Sequence, residues 1–225
     1  MIPAPFQYHK PASVAEAAEL LKKHGSDAKI LAGGHSLIPL MKLRLAQPEV
    51  IIDIGSIESM SYIQERDGGT AVGGTTHYVD IANSSIVPTA LSEAAAQVAD
   101  VQVRNRGTIG GSIANNDPAA DYPAALVGLD ATVVTTRRKI PAEEFFVGMF
   151  ETSLEEGELV SSVRFVIPDV AAYMKFPNPA SRYAIVGVMV ARFGKQVRVA
   201  VTGAGAAVFR VSEMEQALVS EFSVQ

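Results

Sequence analysis

The sequence predicts an α+β protein with a mixed N-terminal region and a small antiparallel sheet towards its C-terminal end. Three observations predict this class. Ser13 and Glu16 have the spacing of a helix-capping box and stand at the start of an apolar pattern with helical intervals. Short apolar runs, such as residues 50–54, have the length of buried strands. The last third of the chain contains strand-like runs joined by short turns, which is typical of an antiparallel meander.

The first third of the chain alternates helices with short strands. One face of the first helix is apolar, and Gly25 ends this helix. The predicted elements that follow are a strand at 29–32, a helix ending at Arg44, a strand at 50–54, and a hairpin at 62–73 with the turn Asp67-Gly68-Gly69.

Helices dominate the middle of the chain and strands dominate its end. Pro88 is placed to start a helix, and Asp121 can cap another that has Pro123 in its first turn. The remaining predicted elements are strands at 131–135, 159–167, 183–193 and 196–201, a helix at 141–146, and a last helix that starts at a capping box of Ser212 and Glu215. Prolines between 168 and 179 interrupt the pattern, so we expect a domain boundary there or slightly earlier, near Glu156-Gly157.

The composition excludes several classes of protein. The chain has 225 residues, of which 48% are apolar, and a formal net charge of −5. The apolar fraction excludes a disordered chain, and the acidic balance argues against nucleic acid as the main partner. Because there is no cysteine, the chain offers no disulfide, iron–sulfur ligand or thiol nucleophile. Neither a signal peptide nor an apolar run of about 20 residues is visible, so we expect a soluble, cytoplasmic protein.

Two glycine pairs have the chemistry of phosphate binding. The first is in Ala32-Gly33-Gly34-His35-Ser36, after a predicted strand, and the second is in Thr108-Ile109-Gly110-Gly111-Ser112. Glycine lets backbone N–H groups approach a pyrophosphate closely. Each hydrogen bond to a charged oxygen contributes about 1.5–3 kcal/mol, so several can hold a dinucleotide without a lysine. Asn115 and Asp121 can bind sugar or ribityl hydroxyls.

Each of these residues also has a simpler explanation. A glycine pair after a strand is usually a turn, whatever lies beside it. An aspartate before a helix that starts with proline is most often a cap, which is an alternative role for Asp121. His35 is explained equally well as an ordinary loop histidine.

Taken together, the two loops and the segments around them resemble a known family. The strongest segment is Arg104-Asn105-Arg106-Gly107-Thr108-Ile109-Gly110-Gly111-Ser112-Ile113-Ala114-Asn115, which Pro118 and Asp121 extend in register. Further matching segments are Phe6-Gln7-Tyr8-His9-Lys10-Pro11, residues 32–36 and 50–54, Gly74-Thr75-Thr76-His77, and residues 145–148 and 180–184. With these segments, nearly the whole chain resembles the FAD-binding medium subunit of the molybdenum hydroxylases, the carbon monoxide dehydrogenase and xanthine dehydrogenase family.

The resemblance implies a fold and its division into domains. It implies a two-subdomain FAD-binding fold of the vanillyl-alcohol-oxidase (PCMH) type at residues 1–167, with subdomains at about 1–55 and 56–167 that hold FAD between them. A small α+β C-terminal flavoprotein domain with an antiparallel sheet is implied at 168–225. Because this domain usually continues with more helix in the family, we expect it to be truncated at Gln225 or to lack a disordered tail.

The resemblance also implies which residues bind the cofactor. The pyrophosphate is expected on Ala32, Gly33, Gly34, His35 and Ser36 of the first loop and on Thr108, Ile109, Gly110, Gly111 and Ser112 of the second. Asn115 and Asp121 are implied as contacts of the flavin chain, and Lys175 and Tyr183 are implied near the isoalloxazine ring. The alternatives are that Tyr183 is a strand residue packed in the core and that Lys175 is a solvated lysine at a sheet edge. No catalytic residue and no metal ligand is predicted in this chain.

The function implied by the resemblance is that of an oxidoreductase subunit that transfers electrons. A partner small subunit with [2Fe-2S] clusters supplies electrons to FAD in this chain, and a large subunit with the molybdenum cofactor oxidises the substrate. The complex is expected to be a dimer of heterotrimers. The external acceptor stays open among quinone, cytochrome, oxygen and NAD. The absence of cysteine agrees with clusters held in another chain.

Two other functions compete with this one. A self-contained flavin oxidase can link FAD covalently through a histidine in a Gly-Gly-His loop, and Gly33-Gly34-His35 has that sequence. Such an oxidase needs a substrate domain, for which the chain has little room. The other alternative is an assembly subunit that has lost its flavin, which no feature of the two glycine loops supports.

Overall fold

The computed structural model describes residues 2–221, which form three larger sheets and one two-stranded hairpin. The strands are β1 (Gln7–His9), β2 (Ala28–Leu31), β3 (Val50–Asp53), β4 (Ile63–Arg66), β5 (Gly69–Gly73), β6 (Thr132–Thr135), β7 (Lys139–Pro141), β8 (Phe146–Gly148), β9 (Glu151–Thr152), β10 (Val160–Val166), β11 (Val170–Pro177), β12 (Ala184–Phe193), β13 (Gln196–Thr202) and β14 (Phe209–Arg210). This mixture of sheets and helices confirms the predicted α+β class.

The helices are short and lie between and beside the sheets. They are α1 (Val14–His24), α2 (Leu37–Lys42), α3 (Tyr78–Ala82), α4 (Thr89–Ala96), α5 (Val101–Arg104), α6 (Ile109–Asn115), α7 (Asp121–Gly128), α8 (Ala142–Phe145) and α9 (Ser212–Ser220), with 3₁₀ turns at Gly25–Asp27 and Glu58–Met60. Within residues 2–221, no helix combines the length and the apolar character needed to cross a membrane.

The first sheet consists of three parallel strands in the order β1-β3-β2, and α1 packs on it. Ser13 caps α1 as predicted, because its hydroxyl accepts a hydrogen bond from the Glu16 N–H at 3.2 Å. The Glu16 carboxylate accepts from the Ala12 N–H, one residue before the cap. The core of this unit consists of Ala17, Leu21, Ala28, Val50, Ile52, Ile54, Ile57, Met60 and Leu159.

The second sheet is antiparallel and has the strand order β4-β5-β10-β6-β7. The predicted β4–β5 hairpin is confirmed, and Asp67 and Gly68 in its turn have φ of +54° and +77°. Two positive φ values are typical of the type I′ turn, whose twist matches that of the strands. The chain leaves β5 through α3 to α7 and returns as β6, and β10 then inserts between β5 and β6.

The third sheet is antiparallel, has the order β11-β12-β13-β14, and packs on α4 and α7. The prolines between residues 168 and 179 do not interrupt the secondary structure as expected, because β11 fills most of this segment. A domain boundary there stays a prediction. β11 is an edge strand and Pro177 is its last residue. An edge strand pairs on one side only, so it tolerates a proline that lacks an N–H group.

The last helix does not start with the predicted capping box. Val211 is the N-cap of α9 and makes no side-chain cap hydrogen bond, while Ser212 lies inside the helix. The Glu215 carboxylate accepts instead from the Val199 N–H at 2.9 Å and pairs with Arg210 at 2.6 Å. The box is not formed because this carboxylate is used to attach α9 to β13.

Candidate functional site

A cavity of about 560 Å³ lies between the unit built on the first sheet and the unit built on the second. One wall comes from β2 and the loop that follows it. The other wall comes from Gly74 and α6, and residues 154–160 complete the lining. All predicted residues of the two glycine segments except Ile109 line this cavity, and so does Asn115. The volume is within the range of about 300–1,000 Å³ that is common for small-molecule sites.

The first glycine loop offers backbone donors that the protein does not use. Among residues 2–221, the N–H groups of Gly33, Gly34, His35 and Ser36 find no acceptor. Gly34 has φ of +80°, in the left-handed region that favours glycine. The Ser36 side chain makes no cap hydrogen bond to α2. The exposed His35 places Nδ1 3.3 Å from the Gly33 carbonyl oxygen. Four N–H groups and one hydroxyl therefore stand at the cavity for an anionic ligand.

Gly33 brings the two glycine segments into contact. A Cβ atom at Gly33 would lie 2.1 Å from the Arg106 carbonyl oxygen and 3.0 Å from the Gly107 Cα. Gly107 in turn packs against the Tyr78 ring, since a Cβ atom there would lie 2.4 Å from Tyr78 Cε2. Neither position has room for a side chain, so these two glycines set the distance between the two cavity walls.

The second glycine pair lies inside α6, and its backbone donors are already used. Thr108 is the N-cap of α6 and accepts from the Gly111 N–H at 3.2 Å. The Ile109 N–H donates to Thr76 O at 3.1 Å, and the Gly110 N–H donates to Gly74 O at 2.9 Å. The N–H groups of residues 109–111 therefore all have acceptors within the chain, and their contact with a pyrophosphate stays a prediction. Ile109 is fully buried in the core and offers no group to the cavity.

Gly110 is required by the fold itself. A Cβ atom there would lie 2.5 Å from the Gly74 carbonyl oxygen, which also accepts the Gly110 N–H. The glycine thus allows α6 to approach the end of β5. Besides the backbone of Gly110 and Gly111, α6 contributes the polar residues Ser112 and Asn115 to the cavity lining.

Tyr78 is a cavity residue that the sequence did not indicate, although it follows the matching segment 74–77. It lines the cavity beside Ser112, and its ring centroid lies 5.0 Å from that of Tyr122. Burial raises the pKa of Tyr78 to about 12, and the hydrogen bond with Ser112 opposes part of this change. Tyr78 is therefore a neutral hydroxyl at physiological pH, placed at the cavity wall beside Ser112.

Asp121 and Lys175 pair with each other and do not line the cavity. Lys175 Nζ lies 2.9 Å from the Asp121 carboxylate, and the side chains are only 2% and 5% exposed, respectively. The Tyr173 hydroxyl donates to Asp121 Oδ1 at 2.6 Å. Burial raises the pKa of the Asp121 carboxyl, and Lys175 and Tyr173 oppose part of that rise. A cofactor contact of either residue stays a prediction.

The simpler roles considered for these residues do not hold. Ala120, and not Asp121, is the N-cap of α7. Lys175 belongs to an edge strand but points into a buried ion pair, so it is not a solvated lysine. Tyr183 precedes β12 and is 48% exposed, so it is not a core residue. Burial raises the pKa of Tyr183, and the charges of Asp117 and Asp121 add to the rise.

Glu158 fixes the cavity wall formed by residues 154–160. Its carboxylate accepts hydrogen bonds from the Thr135 hydroxyl at 2.6 Å, from Arg138 Nε at 3.1 Å, and from the Glu155 N–H at 2.9 Å. Burial by itself raises the pKa of Glu158. The hydrogen bonds outweigh this effect and lower the pKa to about 2, from an ordinary value of 4.5.

We expect Glu158 to stabilise the fold above its unfolded pKa and to lose this contribution as the pH falls from about 4.5 towards 2. Glu158→Gln should lower the free energy of unfolding by roughly 2 kcal/mol at neutral pH, and the gap to the unmodified protein should narrow on acidification. Urea unfolding across this pH range measures both effects. Glu155→Gln, at a side chain that is 60% exposed, is the control and should change stability by less than about 1 kcal/mol. A gap for Glu158→Gln that is independent of pH contradicts the assignment.

Comparison with known proteins supports one family. A family model described as the FAD binding domain in molybdopterin dehydrogenase matches residues 4–169. The carbon monoxide dehydrogenase medium chain of Hydrogenophaga pseudoflava is 45% identical over 202 residues, which are 84% of this chain and 70% of that protein. The glyceraldehyde dehydrogenase medium chain of Sulfolobus acidocaldarius is 35% identical over 98% of this chain and 83% of its own length. In the structure of reconstituted CO dehydrogenase from Oligotropha carboxidovorans, a chain with 34% identity superposes with a TM-score of 0.90 over 97% of this chain and 82% of its own.

Proposed function

Since this chain belongs to the family of FAD-binding domains of molybdopterin dehydrogenases, and is thus an oxidoreductase chain with FAD as its cofactor, we propose that it is the electron-transfer subunit of a molybdenum hydroxylase. It receives electrons from [2Fe-2S] clusters of a small partner subunit and delivers them to an external acceptor. A large subunit with the molybdenum cofactor oxidises the substrate. The observation that supports this best is the cavity between the first two sheets, with the unused N–H groups of residues 33–36.

The residues around the cavity fit FAD. The N–H groups of 33–36 and the Ser36 hydroxyl would hold the pyrophosphate, because a dianionic group needs several donors that no protein acceptor occupies. Ser112 and Asn115 would bind hydroxyls along the flavin chain. Leu31, Leu159 and Val160 supply an apolar wall that excludes water. FAD, when bound, supplies the capacity to take up and release electrons, and the role of this chain is to bind and orient it.

Two observations support a complex with partner subunits: the composition of the chain and the names of its relatives. Without cysteine the chain has no ligands for an iron–sulfur cluster, so the clusters must lie in a partner. Two of the similar proteins are medium chains, of a carbon monoxide dehydrogenase and a glyceraldehyde dehydrogenase, which supports a complex of small, medium and large subunits. We propose a dimer of such heterotrimers. Residues 1–167 would hold FAD, and residues 168–225 would form the C-terminal domain.

The first test is the visible absorption spectrum of the purified chain, followed by acid precipitation. We expect a yellow protein that releases FAD into the supernatant, because the cavity offers hydrogen bonds and no covalent link is needed. Colour that remains in the pellet, and is lost in His35→Ala, would instead indicate a histidyl-linked flavin and the oxidase function. A colourless protein that cannot be reconstituted with FAD would contradict the proposal and favour an assembly role.

Electron transfer is tested in the complex assembled with its partner subunits. Substrate of the complex should bleach the flavin absorption band only when the iron–sulfur subunit is present. The chain alone, loaded with FAD and given the same substrate, is the matched control and should not bleach. Bleaching of the isolated chain by substrate would contradict the division of labour proposed here.

A further inference from the structure

The β8–β9 hairpin places an aromatic side chain at the cavity. Phe150 lies in the turn between the two strands and lines the cavity, as do Asn115 and Leu154. Phe150 is nevertheless 58% exposed in the described chain. Its backbone has φ of +55°, in the left-handed region that is unfavourable for a bulky residue. A large apolar ring is thus held in a strained position beside an open site.

Asn116 holds this turn in place from the end of α6. Asn116 is 1% exposed and has φ of +44° at the C-cap of the helix. Its Nδ2 donates to the carbonyl oxygens of Gly148 at 2.8 Å and Glu151 at 2.7 Å. Its own carbonyl oxygen accepts from the Phe150 N–H at 3.1 Å. These three hydrogen bonds reach both sides of the turn and the strained residue itself.

Neither the strain nor the exposure benefits the chain in isolation. Glycine or asparagine would adopt the same φ at lower cost, and a polar side chain would be better solvated than phenylalanine. Strained residues that the surrounding structure holds firmly are concentrated at binding sites, where the strain fixes a ligand contact in advance. We therefore infer that the hydrogen bonds of Asn116 serve to fix the position of the Phe150 ring, and not only the shape of the turn.

We propose that the Phe150 ring packs against one of the two planar ring systems of bound FAD, and that Asn116 is the residue that positions it. This inference rests on the proposed function, since it takes FAD as the occupant of the cavity. An aromatic ring suits such a contact because every planar heterocycle offers a face for stacking. The contact also explains why the ring is exposed in the chain without ligand, because the ligand would cover it.

The test is the dissociation constant for FAD of the full chain and of single variants, measured by fluorescence titration. Phe150→Ala should raise the constant about tenfold, the scale on which aromatic stacking is lost in alanine variants. Phe150→Leu should also weaken binding, whereas Phe150→Tyr should stay within about twofold, because only tyrosine keeps the ring. Met149→Ala is the matched control. Met149 is the neighbouring residue, is 60% exposed and does not line the cavity.

Asn116→Gly tests the positioning role, because glycine tolerates the positive φ but removes both side-chain hydrogen bonds. It should weaken FAD binding by several-fold, and its effect should largely disappear in a Phe150→Ala background. The stacking contact is overturned if Phe150→Ala binds FAD as tightly as the unmodified chain does. It is also overturned if Phe150→Leu and Phe150→Tyr have the same dissociation constant for FAD. Additive effects of Asn116→Gly and Phe150→Ala overturn the positioning role. Failure of the unmodified chain to bind FAD overturns the proposed function and this inference with it.

Discussion

Asp121→Ala is expected to lower the free energy of unfolding by about 3–5 kcal/mol, the scale on which a buried ion pair responds to the loss of one partner. The substitution leaves the Lys175 ammonium group buried. Among residues 2–221, its one remaining hydrogen-bond acceptor is then the Gln97 carbonyl oxygen at 3.0 Å. The Tyr173 hydroxyl loses its acceptor as well. Because Asp121 lies on α7 and Lys175 on β11, this loss loosens the third sheet from the helices beneath it.

A double-mutant cycle measured by urea unfolding isolates the interaction energy between Asp121 and Lys175. Asp121→Ala combined with Lys175→Met should cost less than the sum of the two single variants, since no charge then remains buried and unpaired. Asp80→Ala, at a carboxylate that is 54% exposed, is the control and should change stability by less than about 1 kcal/mol. A loss below about 1 kcal/mol for Asp121→Ala itself would show that the pair does not hold the sheet. FAD retained by Lys175→Met but lost from Asp121→Ala would support the predicted flavin contact of Asp121.

The second large effect is expected at Gly33, where alanine should raise the dissociation constant for FAD by at least about tenfold. The added Cβ atom would lie 2.1 Å from the Arg106 carbonyl oxygen, and this partner is backbone that cannot rotate away. Forcing such an overlap costs about 1–3 kcal/mol in a packed structure, and each 1.4 kcal/mol corresponds to about tenfold in affinity. The first loop must therefore move away from residues 106–107, which spoils the geometry of its four free N–H groups.

Gly205→Ala is the matched control for this substitution. Gly205 lies outside the cavity lining and has no positive φ. A Cβ atom there would have the Phe209 ring, at 3.3 Å, as its nearest neighbour among the residues that the structure describes. Both variants should be compared by FAD titration and by thermal unfolding. Normal FAD affinity in a folded Gly33→Ala protein would show that the spacing of the two cavity walls does not control binding.

The elements that local chemistry specifies could be predicted from the sequence. The Ser13 cap depends on one hydroxyl and one N–H three residues later, and the Asp67-Gly68 turn depends on two adjacent positive φ values. The first glycine loop belongs to the same group, because a strand that runs into two glycines leaves N–H groups without partners. The conformation of each of these segments depends on interactions within a few residues, so tertiary contacts do not change it.

The features that the sequence could not show depend on partners distant in sequence. No local pattern shows that Thr76 and Gly74 accept the N–H groups of Ile109 and Gly110. Lys175 and Asp121 are 54 residues apart, so their pairing is visible only after β11 has packed against α7. The box at Ser212 fails for the same reason, since the Glu215 carboxylate binds the neighbouring strand. Tyr78 and Phe150 enter the cavity through packing that no short motif encodes.

During synthesis, β5 and β6 leave the ribosome before the strand that joins them. Val163 of β10 pairs with Val72 of β5 on one side and with Val133 of β6 on the other. Contacts between such distant residues form slowly, because a long loop must close before they contribute. Until then, the helices between β5 and β6 have no complete sheet to cover their apolar faces, a state prone to aggregation. Leu159 and Val160 of the cavity wall arrive with the same strand, so the nascent chain acquires the cavity in the step that closes the second sheet.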